Sequence, residues 1–253
     1  MTIRKLYEKL SNLYPENLRC EWDNDGIMCC ENLDKEVIKI LVALDVTNAT
    51  IDFAIDNKFD LIVSHHPLVF SSQKSLTPDK FTQAKLIKLI KNNVSVFSFH
   101  TRLDAANGGV NDVLCEKIKL QNVQVDEVEP IGRIGTLANE LTLDSFAKSI
   151  KEALDTPLVL FNGNKPVKNV YLVGGDGKDL ISRAISMGAD TLLTGRASYN
   201  TMIDATDMGL NIVEAGHFFT ENPVCEKIKS DILSIDNSFI VETYNSFSIK
   251  LVK

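Results

Sequence analysis

The N-terminal half of the chain alternates short apolar runs with amphipathic stretches, which is the pattern of an α/β protein. Residues 37–44 and 61–63 are apolar runs typical of buried strands. Between them, Thr47 can cap a helix whose inner face carries apolar residues at helical spacing. This order predicts a βαβ unit with two parallel strands.

The same reading predicts the remaining elements. Thr2 caps a first helix with Ile3, Leu6, Tyr7, Leu10 and Leu13 on its apolar face, and the helix ends before Pro15. Later elements are a helix carrying Phe81, a strand over 94–99, a helix opened by Gly108 and Gly109, strands over 123–137 and 158–161, a helix over 142–154, a helix after Pro223 and an edge strand over 246–252.

An internal repeat relates two parts of the chain. Residues 39–67 can be aligned with 169–197, and this alignment matches Ser64-His65-His66 with Thr194-Gly195-Arg196. The strands that follow place His100 opposite His217 and Asp104 opposite Glu221. The repeat predicts two α/β domains formed by duplication. We expect residues 1–124 with 210–253 to form the first and 125–209 the second, and the two to interlock because no low-complexity linker separates them.

The four histidines of the chain all stand at the ends of strand-like runs. His65 and His66 follow residues 61–63, while His100 and His217 each have a carboxylate at the fourth position after them. A single histidine at a strand end is more often a capping or hydrogen-bonding residue. Four at strand ends, two of them with carboxylates, favour a site for zinc, manganese, iron, cobalt or nickel. Neighbouring strand residues point to opposite faces, so His65 and His66 as ligands would imply two ions.

Composition narrows the possible partners and the compartment. The net charge of -7 and the lack of a Lys/Arg cluster argue against nucleic acid as a main partner. Five cysteines without a CxxC spacing predict reduced thiols and a cytoplasmic protein. The N-terminus is an amphipathic helix rather than a signal peptide, and no apolar run approaches the roughly 20 residues that span a membrane.

Two further features each have two interpretations. Residues 22–26, WDNDG, form either a turn with the only tryptophan packed beneath it or part of the wall of the site. Arg102 lies between His100 and Asp104. Its guanidinium either reaches the site and binds an anionic group or lies on the surface beside a nearby acid.

Five motifs, in this order, span almost the whole chain: WDNDG at Trp22, ALDVT at Ala43, SHHPLVF at Ser64, HTRLDAANGGVND at His100 and GHFFTE at Gly216. In these motifs the chain resembles the type-2 GTP cyclohydrolase I homologues, also called the Nif-three-like or dinuclear metal-centre family. It resembles the short form of that family, without a central insertion. Arg102 and Phe219 depart from residues that are usual there.

The resemblance implies a Nif-three-like α/β fold, two divalent metal ions per chain and ring-shaped homohexamers with the metal sites facing an internal cavity. It implies that Glu221 bridges the ions and that His100 sits in or just outside their first coordination shell, where it could transfer a proton. The implied metal ligands are His65, His66, Asp104, His217 and Glu221.

We therefore expect a dinuclear metal-dependent hydrolase that acts on a nucleotide or a similar small polar substrate, GTP cyclohydrolase-like by resemblance. The alternative is a non-catalytic metal-binding or regulatory partner-binding protein with the same ligands.

Overall fold

A computed structural model describes residues 1–250 and contains two compact units. Unit 1 consists of Met1–Ala106 and Val224–Ser248, and unit 2 contains Asn107–Pro223. The chain thus completes most of unit 1, builds unit 2, and then returns to unit 1 for one helix and one strand.

The elements alternate along the chain as expected for an α/β protein. The first segment of unit 1 contains α1 (Ile3–Leu13), β1 (Gly26–Cys29), β2 (Lys39–Ala43), α2 (Asn48–Asp56), β3 (Leu61–Ser64), α3 (Phe81–Lys91), β4 (Ser95–Ser98) and α4 (Thr101–Ala105). Unit 2 contains α5 (Val110–Lys117), β5 (Gln121–Val125), β6 (Arg133–Leu141), α6 (Leu143–Ala153), β7 (Leu160–Asn162), β8 (Val167–Asp176), α7 (Ile181–Ser186), β9 (Thr191–Arg196), α8 (Tyr199–Asp207), β10 (Asn211–Glu214) and α9 (His217–Glu221). The returning segment contains α10 (Val224–Ile235) and β11 (Ile240–Tyr244).

The sheet of unit 1 has the strand order β1-β4-β3-β2-β11. Strands β2, β3 and β4 are parallel, which confirms the predicted βαβ unit. All four residues of β3 are buried, as expected for the central strand of a sheet covered on both faces. Ser64 pairs with Ala43 on one side and with Ser98 on the other, so the residues that follow these three strands emerge at one edge of the sheet.

Both predicted helix caps of unit 1 are confirmed. The Thr2 hydroxyl accepts a hydrogen bond from the Lys5 amide at 3.3 Å, and Thr47 forms a capping box with Thr50 at the start of α2. Ile3, Leu6 and Leu10 are buried on the inner face of α1. Leu13, which the pattern also assigned to that face, is the last residue of the helix and is 44% exposed.

Unit 2 repeats the central topology of unit 1. Its sheet has the order β5-β6-β8-β9-β10-β7, with β8, β9 and β10 parallel. Neighbouring residues on these strands enter different apolar clusters: Leu172, Leu193 and Val213 pack on one face, and Tyr171, Leu192 and Ile212 on the other. The sheet is therefore covered on both faces, and three parallel strands in each unit match the predicted internal repeat.

The structure shifts the predicted domain boundaries. Residues 107–124 and 210–223, which the sequence assigned to the first domain, lie in unit 2. The reason is strand pairing, because β5 pairs with β6 and β10 pairs with β9, all in the sheet of unit 2.

The edge strand predicted over 246–252 is wrong over residues 246–250, which form no regular element, and residues 251 and 252 lie outside the described range. Within residues 1–250 the last strand is β11, because Ile240–Tyr244 pairs in parallel with the whole of β2 at the edge of the sheet.

All five cysteines lie in the described part of the chain, and none of them is part of a disulfide there. Burial raises the pKa of the Cys29 thiol to about 11 and that of Cys115 to about 12, which keeps both in the unreactive protonated form near neutral pH. Among the helices of residues 1–250, none has both the length and the apolarity needed to cross a bilayer.

Candidate metal centre

The carboxyl end of β3 carries His65 and His66, as the sequence predicted. His65 is completely buried and His66 is partly exposed. The Ser64 hydroxyl fixes the turn that holds them, because it donates to the His66 carbonyl at 2.9 Å and lies 2.9 Å from the Ser98 hydroxyl on β4. The carboxyl ends of parallel strands are where α/β proteins bind their ligands.

The three histidines of unit 1 share one hydrogen-bonding arrangement. Each Nδ1 donates to an oxygen: His65 to the Phe99 carbonyl at 2.9 Å, His66 to Asp45 at 2.7 Å and His100 to Asp23 at 2.8 Å. Because carbonyl and carboxylate oxygens only accept, Nδ1 carries the proton and Nε2 carries the lone pair. Histidines that bind metals are oriented in this way by oxygen acceptors on the far side of the ring.

These histidines also lie close enough together to share an ion. Each of His65, His66 and His100 offers a ring nitrogen, and the three nitrogens lie within 4.8 Å of one another. The donor set is imidazole nitrogen, supplied by rings that are buried or partly buried. A transition metal or zinc therefore fits the residues present.

Asp104 joins this group from the short helix α4, which begins directly after His100. The Asp104 amide donates to the His100 carbonyl at 3.2 Å, so the four-residue spacing becomes one helical turn. Asp104 Oδ1 lies 3.6 Å from His65 Nε2. The structure thus brings His65, His66, His100 and Asp104 together within unit 1.

The WDNDG turn lines the same site, which decides between its two interpretations. Trp22 is 64% exposed, so the tryptophan is not packed beneath the turn. Asp23 is buried and accepts hydrogen bonds from His100 and from the Thr101 amide and hydroxyl at 3.0 and 2.6 Å. Burial alone would raise the Asp23 pKa, but these hydrogen bonds and the nearby His100 lower it to about 2.

Two acceptors of this group, Asp23 and Asp45, were not among the predicted site residues. Asp45 lies just beyond β2, at the same sheet edge as His66. Its position after a strand was a usable signal, because residues that follow neighbouring parallel strands meet at one edge. The sequence signal for Asp23 was weaker, since the WDNDG segment around it is also typical of an ordinary turn.

Neither sequence-based interpretation of Arg102 is correct. Its side chain is fully buried, with Nε donating to Asp25 Oδ2 at 2.9 Å and the other nitrogens donating to the Tyr14 carbonyl at 3.2 Å and the Tyr7 hydroxyl at 3.1 Å. The guanidinium carbon lies 4.7 Å from the centroid of the Phe99 ring. The Arg102 guanidinium is thus engaged by acceptors of unit 1 and has no exposed surface.

In unit 2, the short helix α9 carries the second predicted histidine and carboxylate. His217 Nε2 lies 3.0 Å from Glu221 Oε2, one helical turn away, and Glu221 is almost completely buried. The helix begins after Gly216, whose φ of +87° favours glycine. His217 and Glu221 are thus paired as the four-residue spacing predicted.

Glycines at the ends of β8 and β9 make room for this helix. A Cβ on Gly175, whose φ is +67°, would lie 2.2 Å from Glu221 Oε1, and a Cβ on Gly195 would lie 2.4 Å from the Thr220 hydroxyl. The Gly175 amide donates to that hydroxyl at 3.1 Å. Gly195 is the counterpart of His65 in the internal repeat. The second copy has a glycine at this position because α9 occupies the space that a side chain would need.

Comparison with known proteins identifies the family. A family model described as Duf34/NIF3 (NGG1p interacting factor 3) matches residues 1–247. The chain belongs to the Duf34/NIF3 family. A family relative from Clostridium perfringens, named GTP cyclohydrolase 1 type 2 homolog, is 34% identical over 252 residues that cover 95% of this chain and 96% of the relative. A protein of the same name from Clostridium acetobutylicum is 30% identical over 88% of this chain and 86% of its own length.

The solved structures agree on the fold. The crystal structure of a Bacillus cereus protein related to NIF3 superposes with a TM-score of 0.91 at 23% identity, covering 100% of this chain and 99% of that one. The predicted Nif-three-like α/β fold is therefore confirmed. Membership of the Duf34/NIF3 family and the histidine and glutamate groups described above agree with a metal-binding protein.

Proposed function

We propose that this protein is a metal-dependent hydrolase with a dinuclear centre, acting on a nucleotide or a similar small polar molecule. The supporting observation is the shared arrangement of His65, His66 and His100, in which every Nδ1 donates to an oxygen while the ring nitrogens cluster within 4.8 Å. Such an arrangement costs side-chain freedom in three rings, and a metal centre with His65 and His66 as ligands and His100 beside them is the function that uses it.

We propose that His65, His66, Asp104, His217 and Glu221 are the ligands of two divalent ions and that Glu221 bridges them. Two separations support this set, each within one unit: 3.6 Å between His65 Nε2 and Asp104 Oδ1, and 3.0 Å between His217 Nε2 and Glu221 Oε2. Two ligand atoms about 2.1 Å from the same zinc ion lie roughly 3.0 to 3.6 Å apart for bond angles between about 90° and 120°. Zinc, iron, manganese, cobalt and nickel all accept this mixture of imidazole and carboxylate.

Paired divalent ions, when bound, lower the pKa of a water between them and polarise a carbonyl, imine or phosphoryl group. The residues of the chain supply the rest of the proposed chemistry. His100 Nε2 accepts the proton of the water that attacks the substrate and returns it to the leaving group. Asp23 accepts a hydrogen bond from the N–H at His100 Nδ1, which keeps the lone pair on Nε2 and fixes the ring.

The proposed substrate class rests on the name of a relative. The Clostridium perfringens relative bears the name GTP cyclohydrolase 1 type 2 homolog, and on that likeness we propose a nucleotide-like substrate for this chain. The fold alone carries no substrate information.

The experiment is a turnover screen of the metal-loaded protein against nucleotides and phosphoesters, with the chelated protein and His100→Ala as controls. We expect turnover that requires metal and is lost in His100→Ala while metal content is retained. Metal binding without turnover of any compound would favour the non-catalytic alternative. Loss of metal from His100→Ala would make His100 a ligand instead of the proton acceptor.

We also propose that the protein works in the cytoplasm as a homohexamer, which is the assembly that the family resemblance implies. Light scattering should give about six times the chain mass of 28.1 kDa. A monomer mass across a wide range of concentrations would contradict the hexamer.

A further inference from the structure

Two large aromatic side chains of unit 1 are exposed side by side. Trp22 is 64% exposed and Phe70 is 54% exposed, and their ring centroids lie 6.2 Å apart with the planes tilted by 50°. We call this pair the aromatic wall. Single exposed apolar residues are common, but two neighbouring aromatic rings open to solvent present faces on which another ring can stack.

The aromatic wall stands directly beside the candidate metal centre. The His100 ring lies 6.2 Å from Trp22 and 6.4 Å from Phe70 between centroids, nearly perpendicular to both at 78° and 82°. His100 in turn lies 5.3 Å from His65 and 5.8 Å from His66. A molecule in contact with the wall is therefore within reach of the histidine cluster.

The two segments that carry the wall are anchored to the protein and to each other. The Asn24 side-chain amide donates to the Val69 carbonyl, which joins the turn before β1 to the segment after β3. Asp23 is held by Thr101, and Leu68 and Val69 pack against the apolar core of unit 1. The rings are thus presented on fixed backbone, which lowers the entropy cost of binding a ligand.

We propose that the aromatic wall binds a planar heteroaromatic ring, such as a nucleobase, of the molecule on which the metal centre acts. This inference rests on the proposed function and adds the residues that select its substrate. Aromatic rings pair by offset stacking or edge to face, and the 50° tilt allows a ligand ring to stack on Trp22 while its edge meets Phe70. Every nucleobase has a π-face that stacks on aromatic side chains. A purine and a pyrimidine are the two sources of such a ring.

Trp22 is the only tryptophan, so its fluorescence reports on the wall alone. We would titrate guanosine, cytidine and ribose 5-phosphate into the metal-loaded protein and, separately, into the chelated protein. Guanosine or cytidine should quench Trp22 saturably, and the stronger of the two identifies the source of the ring. Ribose 5-phosphate should not quench. Absence of quenching by both nucleosides would overturn the proposal.

The wall residues are tested by Phe70→Ala, followed by fluorescence, and Trp22→Ala, followed by calorimetry. Each should weaken nucleoside binding by about 5- to 150-fold, the range for loss of one stacked base. The matched control is Phe81→Ala, because Phe81 is 70% exposed in the same unit and lies on α3. Unchanged affinity in both wall variants, or an equal loss in Phe81→Ala, would overturn the proposal.

Metal content separates this inference from the proposed function. We expect Trp22→Ala and Phe70→Ala to bind as much metal as the wild type. If both variants kept their metal and bound nucleosides as tightly as the wild type, the proposal for the aromatic wall would fail and the proposed metal centre would be unaffected. Absence of metal from the wild type would reject the centre, while quenching in the chelated protein would still support the wall. If Trp22→Ala changed only the assembly state, the wall would contact a second copy of the chain, and the proposal would fail.

Discussion

Arg102 and Asp25 form an ion pair that is completely enclosed, with Nε and Oδ2 2.9 Å apart and no exposed surface on either side chain. Arg102 lies on α4, between His100 and Asp104, while Asp25 precedes β1. Further hydrogen bonds from Arg102 to Tyr14 and Tyr7 attach α4 to the end of α1. The pair therefore fixes the backbone that holds His100 and Asp104.

We predict that Arg102→Met lowers the free energy of unfolding by about 3 to 5 kcal/mol, because it leaves Asp25 buried without its cation. Urea unfolding measures this loss. Arg4→Met is the matched control, since Arg4 pairs with Asp34 at 3.2 Å on the surface and should contribute no more than about 1 kcal/mol. Equal losses in the two variants would contradict the structural role of Arg102. Combining Arg102→Met with Asp25→Asn should recover part of the stability.

Sequence alone could not have found this pair. Arginine is rarely fully buried, so both interpretations of Arg102 placed its charge in or near solvent. Its partner lies 77 positions earlier in the chain, and no local pattern connects the two. Burial of the pair is a consequence of tertiary packing, which neither hydrophobic periodicity nor composition reports.

The parts that sequence did predict depend on local signals. The apolar run before His65 predicted β3, and the cap at Thr47 predicted α2. Both signals depend only on residues that are close together in the sequence. The domain boundaries were shifted because β5 and β10 join the sheet of unit 2 through pairing with distant strands. The site shows the same division. The histidines were found from their positions in the sequence, whereas Asp23, the acceptor of His100, was found from the structure.

Asp45 should control how tightly the centre binds metal. It accepts from His66 Nδ1 at 2.7 Å and from the Ser246 hydroxyl at 3.0 Å, so it orients the imidazole. We predict that Asp45→Ala weakens metal affinity about 10- to 100-fold, the usual loss when such an acceptor is removed. Competition with a chromogenic chelator measures it. Asp52→Ala, on the exposed side of α2, is the control. Equal metal affinities in the two variants would show that Asp45 does not contribute to metal binding.

Stability at low pH should depend on Asp126. Burial would raise its pKa, but hydrogen bonds from Arg183 and Tyr171, both at 2.7 Å, hold the pKa well below its usual range. As the pH falls, the Asp126 carboxylate therefore takes up a proton in the unfolded chain before it does so in the folded protein, at an unfolded-state pKa of about 3.9. The stabilisation is complete above that value and is lost as the pH falls below it.

We predict that wild-type stability falls more steeply than that of Asp126→Asn between pH 5 and pH 3, as measured by urea unfolding. Asp34→Asn is the control, because Asp34 is an exposed carboxylate and its variant should follow the wild type. Parallel pH profiles for wild type and Asp126→Asn would show that Asp126 does not carry this dependence.

Metal counting tests the proposed roles of the two carboxylates. Glu221→Gln should lose both ions, because a bridging carboxylate uses two oxygens and an amide offers only one good acceptor. Asp104→Asn should chiefly weaken one ion. Elemental analysis of gently purified protein should give about two metal equivalents for the wild type. Full occupancy in Glu221→Gln would exclude a bridge, and saturation of the wild type at one equivalent would exclude a dinuclear centre.

Gly175 provides a test of Glu221 that leaves the carboxylate itself unchanged. A methyl group at Gly175 would lie 2.2 Å from Glu221 Oε1, so Gly175→Ala must move the Glu221 side chain. It also carries the strain of a φ of +67°, which costs an alanine about 1 kcal/mol. Metal content should therefore fall, even at temperatures where the variant is fully folded.

Gly188→Ala is the control that separates the contact with Glu221 from the backbone strain of a positive φ. Gly188 has a similar φ of +78°, but a Cβ there would meet no atom within 4 Å. Both variants should lose comparable stability to backbone strain, while only Gly175→Ala should also lose metal. Equal metal content in the two variants would mean that Glu221 does not need its present position to bind the ions, and the ligand assignment would then rest on the histidines and Asp104 alone.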